Sequence, residues 1–396
     1  MYLGFTLVAL CALFYCLFAK RMSSWPVSSA MIFILAGVVF GPQGLGVLEL
    51  EHASAEVRIL ADLTLALLLF ADASSIKAKT LARVKYLAIR MLLIGLPLSI
   101  FCGYLLARFM FPELGMWDCA LLATALAATD AALGKPVVTN PSVSEPLRTT
   151  VNLESGLNDG LCVPLLLLFI ALSKELMMDE ASDLAMGLFL SEIGIGAVLG
   201  VLITWLGSKA VRLATEKQWA SIKWVPMSIS VIALLCFLIT QNLHGSGYIA
   251  SFVGGLTFSL VNKNIDHDLV DDTETSGELL GMLTWILFGT LLYHTVSLDP
   301  SWKDWAYGIL SLTVVRMLPT LLVLTGTGLN LPSKVFLAWF GPRGLASVAF
   351  AFIIINSQIP NAAEIVPVIC CTIVLSVALH GISALPYIKR FAHSLG

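Results

Sequence analysis

Two short polar stretches carry the chemistry available to this chain. Thr129-Asp130 interrupts one long apolar segment, and Glu154-Ser155-Gly156-Leu157-Asn158-Asp159 interrupts the next. A carboxylate at bilayer depth costs roughly 2.5–3.5 kcal/mol on insertion scales. Three acids close together in such sequence (Asp130, Glu154, Asp159) therefore call for a function. At about 100° per residue, Glu154 shares a helix face with Asn158, and Ser155 shares one with Asp159. The two pairs flank a common stripe, so four oxygen-bearing side chains can look into one cavity. Gly156 and Gly160 leave room for another element to come close.

Oxygen ligands of this kind suit a hard monovalent cation. Backbone unwound at Thr129-Asp130 would add free carbonyls, which are tolerated at that depth only where they line a cavity. Ser155 and Asp159 would add side chains. A carboxylate that holds a cation can instead hold a proton, and competition at one site is enough for exchange. Asp159 lies about eleven residues into its apolar run, roughly 16 Å along a helix, near the middle of a bilayer.

The elements that position these residues must be membrane helices. Hydrophobic residues make up 58% of the 396, charged residues 12%, and the mean hydropathy is +0.89. A soluble domain of this size does not have that composition. The chain is all-α and polytopic, with the lipid bilayer as its surroundings. No basic patch interleaves with aromatics, so nucleic acid is not an expected partner. The eight cysteines sit in apolar runs without metal-ligand spacing and read as small hydrophobes. No nucleophile–base pair or phosphate loop is visible, so no enzyme is expected.

About thirteen spans of some twenty residues can be placed. They include a fifth at 116–138, a sixth at 148–173, a seventh at 185–208 and a twelfth at 334–356. Basic residues favour one side (Lys20, Arg21, Lys77, Lys79, Arg83, Lys85, Lys209, Arg212, Lys217 and Lys223 among them). The other side holds only Arg58, Arg108, Lys174 and Lys303. By the positive-inside rule this predicts a cell (inner) membrane protein with its N-terminus outside and its C-terminus cytoplasmic. Gly341-Pro342-Arg343-Gly344 breaks the twelfth span as Thr129-Asp130 breaks the fifth. Interrupted helices at matching places in two halves point to a transporter binding site. One transporter domain over 1–396 is expected, with inverted six-helix halves at 1–174 and 225–396 and a linking span at 175–224. Asp62 reads as an interhelical contact, and Asp72 as a solvated residue at the inner end of its span.

The stretches Ala128-Thr129-Asp130, Asn140-Pro141 with Arg148, Asn152 to Gly160, and Gly341 to Gly344 resemble the NhaP-type cation:proton antiporters, prokaryotic relatives of the sodium/hydrogen exchangers. The likeness runs along essentially the whole chain, and Glu-x-x-x-Asn-Asp is its most specific part. It implies two broken, crossing helices, Asp159 as ion and proton carrier with Asn158 beside it, and a cation site completed by Thr129, Asp130, Glu154 and Ser155. It also implies that Glu154 pairs with Arg316, with Arg343 compensating the dipoles of the broken twelfth span. An Asn-Asp pair is similar to the electroneutral branch, so one-for-one exchange of Na⁺ (or Li⁺ or K⁺) for H⁺ is expected. A homodimer is implied, and no cofactor beyond the transported ions. Many family members carry proline after Thr-Asp. Here Ala131 follows, and the nearest helix breakers, Gly134 and Pro136, lie further inward, which would make the unwinding less sharp or displace it inward. Two other functions compete: a sodium-coupled organic-anion symporter of related fold, and a channel-like cation efflux system.

Overall fold

The computed structural model describes residues 2–22, 25, 27–42, 44–48, 55–130, 133, 140–174, 181–262, 268–296 and 300–395. Every regular element among them is helical. The first half comprises α1 (Tyr2–Met22), α2 (Ser29–Phe40), α3 (Ala55–Ser74), α4 (Ala78–Arg90), α5 (Leu96–Met110), α6 (Met116–Ala125) and α7 (Glu145–Ser173). Then come α8 (Ala181–Glu216), α9 (Val225–Asn242), α10 (Gly247–Val261), α11 (Asp268–Val296), α12 (Trp302–Leu310) and α13 (Arg316–Val323). The last three are α14 (Leu331–Trp339), α15 (Leu345–Asn356) and α16 (Ala362–Leu395).

Among the described residues, eight helical stretches are long and apolar enough to cross a membrane, and α2, α6, α10 and α15 are shorter apolar helices. The number of spans expected from sequence is not established by these lengths, because α6 and α15 adjoin chain breaks that shorten them.

Local signals account for many of the ends. Ser246 accepts from Ile249 N–H at the start of α10, and Asn330 from Ser333 N–H at the start of α14. Asp118 reaches back to Gly115 N–H at the start of α6. Proline stands in the first turn of α7, α9 and α14, where a missing N–H costs nothing. Between α4 and α5 the chain makes a π turn at Met91–Gly95, and between α12 and α13 another at Ser311–Val315. Such turns often mark functional places in helices.

α7 is the central element. Its neighbours include α3, α4, α6, α8 and α10. It begins earlier than the sequence suggests, at Glu145, so Asp159 stands at the midpoint of its 29 residues. Gly156 and Gly160 face α10, whose Phe252 and Ile249 fill the space a Cβ would take, at 2.0 and 2.5 Å.

Candidate ion site at the crossing of two broken helices

α6 stops at Ala125 although Leu126, Ala127 and Ala128 are good helix formers. Tertiary partners satisfy the backbone groups that a continued helix would have used. Ser347 Oγ donates to Ala125 O at 3.0 Å. Arg343 Nη1 donates to Ala127 O and Ala128 O, both at 3.1 Å. Thr129 N–H donates to Asn158 Oδ1 at 3.3 Å, and Asp130 N–H to Pro342 O at 2.8 Å. The break therefore begins at Leu126, before Thr129 in the chain, ahead of the glycine and proline positions. Ala131, Gly134 and Pro136 themselves lie outside the described residues.

The second break, Phe340–Gly344, lies between α14 and α15. Here Asp130 Oδ2 accepts from Leu345 N–H at 2.8 Å, capping α15 with a negative charge at its positive end. A side chain at Gly344 would put its Cβ 2.0 Å from Asp130 Oδ2, so only glycine fits this approach. The two breaks thus exchange charges: Asp130 from the first caps the N-terminus of α15, and Arg343 from the second binds the carbonyls that follow α6. Arg343 is fully buried and its backbone N–H donates to Ser376 Oγ at 2.6 Å. It was expected to compensate the dipoles of its own span and to belong with the Glu154–Arg316 pair. Its guanidinium instead serves the opposite break, because those carbonyls have lost their helical donors.

On α7, Glu154 binds Arg316 through two bonds, Nη1 to Oε1 at 2.5 Å and Nη2 to Oε2 at 2.8 Å, with both side chains about 5% exposed. Arg316 follows directly on the π turn of Ser311–Val315. Its Nη2 also approaches Leu337 O at 3.4 Å. Both oxygens of Glu154 are thus held by one guanidinium.

That cluster is tight. Thr129 Oγ1 is 3.0 Å from Ser155 Oγ and accepts from Asn158 Nδ2 at 2.7 Å. Asn158 therefore grips Thr129 at both its N–H and its hydroxyl, and holds the unwound segment against α7. Next to it in the chain stands Asp159, 2% exposed, whose buried Oδ1 has no hydrogen-bond partner among the described residues. A buried carboxylate oxygen with no donor is costly unless a cation or proton takes the place. Asp130 and Arg343 are near enough to act on it electrostatically, and so is Asp72.

Of the residues expected from sequence, Thr129, Ser155 and Asn158 meet directly, Asp130 and Asp159 lie in electrostatic reach of each other, and Glu154 pairs with Arg316. Asp72, read from sequence as a solvated residue at its span end, is half-buried near the end of α3 and acts electrostatically on Asp159. Its only sequence signal was an acid in an apolar run, which a span end normally explains. No group of three or more His, Cys, Asp or Glu residues forms a resident metal site among the described residues.

Residues 6–390 match the family model described as "Sodium/hydrogen exchanger, transmembrane". Over 414 residues the chain is 25% identical to the Na(+)/H(+) antiporter 2 of Zygosaccharomyces rouxii, covering 90% of this chain and 49% of that protein. It is 25% identical over 283 residues to the Na(+)/H(+) antiporter NhaH of Halobacillus aidingensis, covering 68% and 67%. With the K(+)/H(+) antiporter NhaP2 of Shewanella sp. (strain MR-4) it shares 23% over 348 residues, covering 85% and 59%. The chain thus spans between about half and two thirds of the length of these relatives. Its fold is that of the sodium proton antiporter MjNhaP1 from Methanocaldococcus jannaschii, at a TM-score of 0.77 and 19% identity over 96% of this chain and 99% of that one. The match along nearly its whole length makes this chain a member of the transmembrane sodium/hydrogen exchanger family.

Proposed function

We propose that this protein exchanges a monovalent cation for a proton across a membrane by alternating access, with the two ions competing for Asp159. The observation that carries the proposal is the unpartnered, buried Oδ1 of Asp159 at the midpoint of α7. Its neighbour in the chain, Asn158, binds the Thr129 hydroxyl, which in turn meets that of Ser155. Thr129, Asp130, Ser155 and Asp159 form the site, and Asn158 holds the unwound segment to it. Glu154 and Arg316 act as a buried ion pair beside the site. Relatives named as Na(+)/H(+) and as K(+)/H(+) antiporters make both cations substrates to test, with Li⁺ beside them.

Asp159 carries one charge in each direction, and Asn158 offers no second acid. Asp130 stays ionised because it caps α15. Exchange is therefore electroneutral. The halves are 1–174 and 225–396, joined through 175–224. Two features support that division: the π turns recur before the fifth-span and twelfth-span breaks, and the breaks occupy corresponding places in the two halves. The working form is a homodimer in the cell membrane, with cytoplasmic C-terminus. α1 and α8 are the least buried of the long apolar helices and offer the partner surface.

The test is purified protein in proteoliposomes with an imposed ΔpH and Na⁺, K⁺ or Li⁺ supplied singly, with no organic substrate. Cation flux coupled to proton movement is the expected result. Flux that requires an organic anion, or that runs without ΔpH coupling, would overturn the reading.

A further inference from the structure

Outside the ion site, Asp62, Asp118 and Asp304 are buried acids with polar partners, and Asp62 is the one bonded to α10. Asp62 on α3 is 6% exposed, and its Oδ1 accepts from the Tyr248 hydroxyl at 2.5 Å. Its Oδ2 lies 3.6 Å from Arg58 Nε one turn earlier on the same helix. Arg58 is the outward member of this chain, with its side chain 37% exposed. Tyr248 is the innermost member. It is 1% exposed, with its ring 5.2 Å from that of Phe237 on α9.

The place of Tyr248 in the fold gives this contact its meaning. It is the second residue of α10 and follows Gly245-Ser246-Gly247, an entry with little side chain to fix it. The next residue, Ile249, packs on Gly160 of α7, and Phe252 packs on Gly156. These two contacts cover α7 on either side of Asp159 in the sequence. Tyr248 itself lies within electrostatic reach of Asp159. At the entry to α10, the hydrogen bond to Asp62 and that from Ser246 N–H to Glu192 O (3.0 Å) tie the helix to its neighbours. The first is to a carboxylate, and such charge-assisted bonds are about twice as strong as neutral ones.

We infer that Asp62 and Tyr248 are positioning residues for cation binding: their hydrogen bond sets the rotation of α10, and Ile249 and Phe252 then hold the apolar wall that keeps water from Asp159. Arg58 neutralises Asp62 and keeps it an acceptor. This inference rests on Asp159 being the cation carrier.

Tyr248→Phe removes the hydroxyl and keeps the ring against Phe237. In ΔpH-driven flux it should raise the apparent KM for the cation about fivefold, the equivalent of one hydrogen bond, with the maximal rate retained. Amide hydrogen exchange over residues 154–160 should quicken in the same variant. Asp62→Asn should behave alike, and the double variant should be no worse than either single one. If Asp62→Asn does not fold, Tyr248→Phe decides alone. Lower thermal stability with unchanged KM and unchanged exchange in α7 would overturn the inference, since a contact that merely stabilises the fold would give that result. Should the parental protein move no cation, the proposed function fails, and amide exchange in α7 still judges the positioning role.

Discussion

Glu154 and Asp159 stand on the same helix and are equally hidden, at 4% and 2% exposure, yet their surroundings differ in kind. Both oxygens of Glu154 are held by Arg316. One oxygen of Asp159 has no donor among the described residues. A paired buried acid is locked, because removing its partner leaves a bare charge in a place that cannot solvate it. An unpaired one is available to whatever cation or proton arrives. Burial is common to both acids, whereas an acceptor position unfilled among the described residues belongs to Asp159.

The sharpest way to break this contrast is to remove the ionisable oxygen of Asp159. Asp159→Asn should abolish cation-coupled exchange in proteoliposomes while the protein stays folded, because Asn keeps the size and loses the group both ions need. Flux near the parental rate would place the carrier elsewhere.

The next effect is on stability and belongs to the other acid. Glu154→Gln and Arg316→Gln should each destabilise the protein in detergent by about 3–5 kcal/mol, since each leaves one buried charge uncompensated. The double substitution should cost less than the sum, as expected for residues in contact. Additive losses in a double-mutant cycle would contradict the pairing.

The smallest expected effect is none. With Glu154 held by Arg316 and Asp130 held as the cap of α15, only Asp159 changes its load, and the exchange equilibrium should not respond to membrane potential. Each net charge moved would be worth about 2.3 kcal/mol per 100 mV, roughly fiftyfold in the equilibrium, so a flat response is easy to distinguish. A clear voltage effect would mean that Asp130 or Glu154 carries a proton as well.

Much of the site was legible in the sequence because charge in an apolar run is itself a signal. Asp130, Glu154, Asp159, Arg316 and Arg343 all announce themselves in that way. What could not be read was which distant group each would meet. Arg343 reaches Ala127 and Ala128 across the crossing of the two breaks, and nothing in Gly341-Pro342-Arg343-Gly344 indicates that the carbonyls it serves follow α6. The start of the unwinding was misjudged for the same reason. Local breakers pointed past Asp130, whereas hydrogen bonds to Asn158 and Pro342 and from Arg343 and Ser347 open the chain at an alanine-rich stretch with no breaker in it. The Asp62–Tyr248 contact joins residues of two different helices far apart in sequence, and a tyrosine near a helix start carries no mark of its partner. Helix existence, in contrast, follows from hydropathy, and the composition alone required a membrane protein.

Competition between cation and proton at Asp159 is the central claim, and it can be measured without transport. Cation is added to the purified protein in weakly buffered detergent solution, and the protons released are counted against the cation bound. The account predicts a single proton released per cation, lost in Asp159→Asn and kept in the Glu154→Gln/Arg316→Gln double variant. Cation binding with no proton release in the parental protein, or release that survives Asp159→Asn, would contradict it.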